Sequence, residues 1–264
     1  MKTGIYPGIS NADYHADPAI SKSQLDLVRR APGLLEWSRN APRGVSDAAD
    51  IGNAAHCMLL EPAEFADRFI VAPKFDRRTN QGKADAAAFE ADCAGKTILS
   101  DDDWDKLQHM RDSVMAHPDA ASLLSLKGLA EHSVWWTDPI TGVQCRARPD
   151  WWIKDHRIMV DVKTADKAAD FHWSVRDYRY DVQQAFYSDG AAHAGAPVDM
   201  FLFLVVGKSR EMGRYPVRVV ELLAADVERG RQEYQHDLAT VAECQRTKEW
   251  PGIERVSVPE RKYY

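Results

Sequence analysis

A chain of 264 residues is long enough to bury a full core, as one large α/β domain or two small ones. Its net charge of −6, with 45% hydrophobic and 28% charged residues, is that of an ordinary globular protein and excludes a global basic field for nucleic acid. Any DNA contact therefore needs a local basic lining. No apolar run approaches the ~20 residues of a membrane span. The opening "MKTGIYPGISNADYHADP" lacks a signal-peptide apolar segment, so a cytoplasmic protein is expected.

In chain order, residues 21–37 open with a Ser cap and carry apolar positions at helical spacing until Pro32 interrupts them. Residues 47–61 read as a second helix, with Pro62 just past its end. "PKFDRRTNQGK" (73–83) has basic and amide side chains, no hydrophobic period, and reads as a loop. Residues 84–94 and 101–126 are predicted helices, the second opening with the acidic "SDDDWDKL" that suits a helix N-terminus. From residue 131 the period changes to two. "EHSVWWTD", "TGVQCRARPDWWIKD" and "RIMVDVKTA" read as strands, with turns at 138–139, 141–142 and 155–156. A helix over 174–193 follows, then "DMFLFLVVGK" as a strand buried on both faces, "YPVRVVEL" as its neighbour, and a long polar helix over 225–247. This order predicts an α/β fold, a central mixed β-sheet flanked by helices, preceded by a helical N-terminal part. One domain over 1–264 is expected, with 1–126 mainly helical, 127–223 the sheet core and 224–264 a C-terminal helix and tail.

Cys57, Cys93, Cys145 and Cys244 form no C-x-x-C pair, so they read as buried free thiols rather than a zinc site or disulfide framework. There is no G-x-x-x-x-G-K-[ST] motif, hence no expectation of ATP.

The chemistry concentrates in residues 145–165. Asp150 ends one apolar strand, and Asp161 and Lys163 sit in the next at i and i+2, pointing to one face. If the 155–156 turn joins antiparallel strands, Asp150 and Asp161 approach each other across the pair. Two carboxylates aimed at one spot repel unless a cation lies between them, and oxygen ligands completed by water suit Mg²⁺ or Mn²⁺. A lysine beside that ion can act on a water or on phosphate charge. The Val162 carbonyl is a further hard-metal ligand candidate. An acidic residue followed two later by Lys occurs about twice by chance in a chain this size. The pattern gains weight because these charges interrupt an apolar run, where free surface groups are rare.

"RPD" followed by "VDVKT" resembles the PD-(D/E)xK nuclease superfamily, and the flanking elements are similar to those of its RecE-like phage exonucleases. These elements are "ISKSQLDLVRRAPGLLEW", the helix "IGNAAHCMLLEP" with its histidine, and Gln183 and Tyr187 in "YDVQQAFYSDG". The likeness runs from about residue 5 to about residue 215. It implies metal ligation by Asp150 and Asp161, a catalytic role for Lys163, a metal-site role for His56, and support of the site or scissile strand by Gln183 and Tyr187. Tyr180 shares their helix face. Glu131 stands before the first strand, where related nucleases often carry an acidic residue. Read alone, His56 is equally a core histidine, Gln183 and Tyr187 an amphipathic helix, and Glu131 a solvated helix end. Relatives with an iron–sulfur cluster use three clustered C-terminal cysteines; Cys244 alone follows the catalytic strand here, so no cluster is expected.

For DNA, Arg146 and Arg148 share one strand face, and Arg77, Arg78, Lys208 and Arg210 lie in polar loops; all are candidate phosphate contacts. The resemblance implies a Mg²⁺-dependent exodeoxyribonuclease on linear duplex, digesting 5′ to 3′. It also implies a ring-shaped homo-oligomer such as a tetramer, a single-strand annealing partner, and phage or prophage origin in a bacterial host. The alternatives are a non-catalytic DNA-end-binding protein on the same fold, or an endonuclease of the same superfamily.

Overall fold

The computed structural model describes residues 2–41, 51–93 and 95–253. Strand β1 (Gly4–Tyr6) and helix α1 (Asn11–Ala16) come first. Helix α2 (Lys22–Arg30) starts where Gln24 Oε1 accepts the Ser21 N–H at 2.9 Å, and it ends at Ala31, because Pro32 restarts the helix as α3 (Pro32–Asn40). Helix α4 (Ile51–Leu60) covers the described part of the second expected helix; residues 47–50 lie outside the described residues. Next come α5 (Phe65–Arg68), strand β2 (Phe69–Val71), α6 (Asn80–Asp92), strand β3 (Thr97–Leu99), α7 (Asp101–Met115) and α8 (Pro118–Ser125). Helix α6 begins four residues before its expected start because Thr79 Oγ1 accepts the Gly82 N–H at 3.0 Å. The helix expected over 101–126 is two helices, since Pro118 carries no N–H to continue the ladder and opens α8 instead.

Strands β4 (Leu129–Ala130), β5 (Ser133–Thr137), β6 (Gln144–Ala147), β7 (Trp151–Ile153) and β8 (Ile158–Ala165) follow. The single strand expected over 141–155 is cut at Pro149, and its halves join different sheets. β6 pairs with β5 in a three-stranded sheet β1-β5-β6, while β7 enters a five-stranded sheet β10-β9-β8-β7-β4. That larger sheet is completed by β9 (Met200–Gly207) and β10 (Val217–Val220), and only β8 and β9 run parallel in it. The helix expected over 174–193 breaks into α9 (Phe171–Asp177) and α10 (Tyr180–His193), because Arg179 takes a left-handed φ of 52°. Helix α11 (Ala224–Thr247) ends the described fold. The architecture is the expected one: a mixed sheet covered by helices on both faces.

Alternation along the two central strands sorts the core. Met159, Phe201, Phe203 and Val205 pack on the face carrying α2, α9, α10 and α11, whereas Val160, Val162, Leu202, Leu204 and Val206 pack on the face carrying α4, α7 and α8. All four cysteines are buried free thiols. Helix α10 is pinned from outside. Arg179 reaches Asp237 at 2.6 Å, Glu233 at 3.1 Å and Asp26 at 3.1 Å, and a Cβ at Gly230 of α11 would stand 2.4 Å from the Asp181 carbonyl carbon. Glycine is what lets these two helix backbones touch.

Candidate metal and nucleic-acid site

The break at Pro149 frees Asp150 from the strand ladder. Its Oδ2 accepts the backbone N–H of Val162 at 2.7 Å, tying the end of one strand to the middle of the next. In β8 the side chains of Val160 and Val162 enter one core, which turns Asp161 and Lys163 to the other face, under α10. Three residues of α10 meet them in order. Tyr180 lies against Lys163, whose Nζ stands 4.7 Å above its ring. Gln183 Nε2 donates to Asp161 Oδ1 at 2.5 Å. Tyr187 lies furthest along; burial, then the negative groups around it (Asp161, Asp150 and Glu131 among them), push its phenol well above its ordinary range. Asp161 Oδ2 pairs with the Lys163 ammonium. Burial alone would lower the lysine, but Asp161 and Asp150 outweigh it, so its pKa is raised and it stays cationic.

A second group adjoins this line. His56 from α4, Glu131 and Asp150 offer ligand atoms that all lie within 4.8 Å of one another. His56 Nδ1 is 3.4 Å from Asp150 Oδ2. Glu131 occupies the turn between β4 and β5 with a left-handed φ of 50°, and its N–H donates to the Asp150 carbonyl at 3.2 Å. Burial first, then Asp161, raises Asp150 to about 6; burial first, then Asp150, raises Glu131 to about 8. Carboxylates held this close to one another and to an imidazole, Asp150 buried and Glu131 half-buried, carry an unmet demand for positive charge. The donor set, one nitrogen and several oxygens, fits a divalent cation. Asp161 stands outside the His56 group, occupied by Gln183 and Lys163, and Val162 enters through its N–H to Asp150.

The two expected phosphate contacts next to Asp150, Arg146 and Arg148, both pack against the N-terminal segment, Arg146 buried and Arg148 half-buried. Arg146 is 2% exposed; its Nη1 donates to the Asp17 carbonyl, its charge faces the Asp17 carboxylate at 3.7 Å, and its guanidinium lies 4.8 Å over the Tyr14 ring. Arg148 stacks on the same ring at 4.1 Å and donates to Ser133 Oγ, Asn11 Oδ1 and the Ile9 carbonyl. They do share a face, as alternation predicts, but that face is covered by the N-terminal segment. Arg146→Ala is therefore expected to cost about 3 kcal/mol of stability, read by thermal melting, while the salt dependence of DNA binding stays as in the wild type.

The loop candidates remain at the surface. Arg77 pairs with Glu90 of α6 at 2.8 Å, and Arg78 is exposed beside it. Lys208 faces Asp166 at 3.6 Å, and Arg210 lies 5.6 Å over the Tyr215 ring. Both follow the end of β9 that pairs with the end of β8, two residues past Lys163. Two residues near Lys163 carried no sequence signal. Lys22, the first residue of α2, bonds Asp26 at 2.8 Å and the Tyr178 carbonyl, and Tyr178 stacks on Tyr180.

Pro-Asp at the end of one strand and Asp-x-Lys on its neighbour, under a helix that crosses a mixed sheet, define the class: a PD-(D/E)xK nuclease-like fold. The particular family is visible in the chain itself, since residues 35–257 match the PDDEXK-like domain of unknown function (DUF3799). The chain belongs to that family. Its fold is similar to that of a candidate exonuclease from Eubacterium rectale, with a TM-score of 0.60 over 96% of each chain at 13% identity. A phage-related exonuclease from Haemophilus somnus 129PT is a more distant likeness, with a TM-score of 0.33 at 9% identity over 65% of this chain and 85% of that one. No curated protein matches the chain. Among the described residues no helix is long and apolar enough to cross a membrane.

Proposed function

We propose that the protein hydrolyses phosphodiester bonds in DNA with the help of a divalent cation, and more narrowly that it is an exodeoxyribonuclease on linear duplex that uses Mg²⁺ or Mn²⁺. The observation that carries this reading is Asp161, held between Gln183 and Lys163 beside the His56, Glu131 and Asp150 group. A merely structural ion pair has no need of three further ligand groups at its flank.

His56, Glu131 and Asp150 would hold the cation, with Asp161, at their flank under Gln183 and Lys163, and the Val162 carbonyl as further ligands. When bound, such an ion acidifies water for attack and draws charge from the phosphoryl oxygens. The chain's own residues do the rest. Asp150 is kept in place by the Val162 N–H and Asp161 by the Gln183 amide, so neither carboxylate has to find its orientation during turnover. Lys163, held cationic, favours negative charge as it develops on the phosphate and is poorly suited to take up a proton. Tyr180 closes the apolar side of that lysine, and Tyr187 lines the far end of the same helix face.

The 5′ to 3′ direction, a ring-shaped homo-oligomer such as a tetramer, delivery of single strands to a phage-type annealing protein in recombination, and a bacterial host cytoplasm are carried over from the RecE-like resemblance. End-labelled linear and closed circular duplex, incubated with Mg²⁺ or chelator, test the reading. Loss of linear DNA alone, in Mg²⁺ alone, is expected. Cleaved circles would make the protein an endonuclease, and no cleavage of either would leave an end-binding protein on a nuclease fold.

A further inference from the structure

The line of side chains over β8 continues beyond Lys163 to the surface. Its Nζ stands 4.7 Å above the Tyr180 ring, and Tyr180 stacks on Tyr178 with centroids 5.6 Å apart and planes 25° from parallel. Tyr180 already has apolar neighbours in Phe171 and Phe203, each at 5.6 Å. Tyr178, in the short link between α9 and α10, is 62% exposed, so burial does not account for an aromatic ring there. Its backbone is anchored by Lys22, which bonds the Tyr178 carbonyl and Asp26.

Further along α9, Trp173 is 53% exposed with the Arg176 guanidinium 4.6 Å over its ring. Beside it opens a cavity of about 560 Å³ lined by Arg29, Arg176, Arg179 and Arg229 against Asp181 and Glu233. Its arginines are largely paired, Arg179 with Asp26, Glu233 and Asp237, Arg229 with Asp181 and Asp226, and Arg176 with Asp177, and Arg179 is the chain neighbour of both stacked tyrosines.

We propose that Tyr178 and Trp173 form a nucleobase-stacking path that leads one unpaired DNA strand between the Lys163 site and the arginine-lined pocket. The direction of the path rests on the nuclease reading; the stacking surface does not. Every base has a π-face, so exposed rings accept any sequence, and the exposed Arg176 beside Trp173 is the guanidinium placed to meet a backbone phosphate. A duplex keeps its bases stacked on one another and offers such rings nothing, so the path selects a strand already unpaired. The steps from Lys163 to Tyr180 and from Tyr180 to Tyr178, 4.7 Å and 5.6 Å, keep the outer ring within a few nucleotides of a phosphate at Lys163.

The test is fluorescence anisotropy of a short fluorescein-labelled oligo(dT) in Ca²⁺, with thermal melting of each variant as a check on folding. Tyr178→Ala and Trp173→Ala are each expected to weaken binding about tenfold, Tyr178→Phe to bind as the wild type, and Trp37→Ala, exposed on α3, to change nothing. Undiminished binding in both alanine variants overturns the path. So does loss in Tyr178→Phe equal to that in Tyr178→Ala, or an absence of oligo(dT) binding by the wild type. Wild-type protein that cleaves no DNA yet binds oligo(dT) through Tyr178 would overturn the nuclease reading and leave the path standing. An active nuclease whose alanine variants bind unchanged would do the reverse.

Discussion

Lys163→Ala is expected to lower kcat on linear duplex by about a thousandfold, with DNA affinity in Ca²⁺ nearly unchanged. The lysine is half-buried against Asp161 and Tyr180 and kept cationic by Asp161 and Asp150. A fixed charge of that kind acts on what changes during reaction, so its loss belongs in kcat rather than KM. Its removal also leaves Asp161 facing Asp150 without compensation, so the variant should melt earlier than the wild type in chelator. Added Mg²⁺ should recover much of that difference. Lys163→Arg keeps the charge but replaces a compact ammonium with a planar fork in a closed space, and little activity should return. A kcat within tenfold of the wild type, or an effect confined to KM, would remove Lys163 from this role.

Asp150→Asn should abolish cleavage and yet make the metal-free protein more stable at pH 8. A carboxyl whose pKa is higher in the folded than in the unfolded state binds extra protons when folded, so stability is greatest at low pH and falls as pH rises. For Asp150 that loss runs from its ordinary 3.8 to about 6, and for Glu131 from 4.5 to about 8. The Asp150 part is worth at most about 3 kcal/mol, or roughly 5–10 °C in Tm for a chain of this size. Asparagine escapes the loss while its oxygen still accepts the Val162 N–H. Melting curves in chelator between pH 5 and 8 should therefore show the variant gaining on the wild type as pH rises. Mg²⁺ should stabilise the wild type more at pH 8 than at pH 5 and barely move the variant. Parallel curves at all pH values would mean that Asp150 does not carry this strain.

The parts of the fold legible in the sequence were those with local causes. Charges set in the apolar run of 158–165 marked a strand with a chemical face, and Pro32 marked a helix break. The unbroken apolar run at 200–207 marked a strand covered on both sides. Pro118 carried the same signal as Pro32, though the helix pattern on either side hid it. What the sequence could not show was contact over distance. Arg146 reads as a free surface cation until Asp17 and Tyr14, far away in the chain, close over it. The Pro149 break separates two sheets only because β1 exists to pair with β5, and three residues of strand leave almost no periodicity. Lys22 sits at an ordinary helix start and meets Tyr178 only through the tertiary fold.

The contact between Gly230 and the backbone of Asp181 acts on the site from a distance. Tyr180, Gln183 and Tyr187 ride on one rigid rod whose distance from β8 is set on the opposite side, where α11 leans on it. A side chain as small as alanine at 230 would push that rod toward the sheet and shift all three supports together. The reach of three side chains to Asp161 and Lys163 is thus set from behind, by a residue that touches none of them and carries no chemistry of its own.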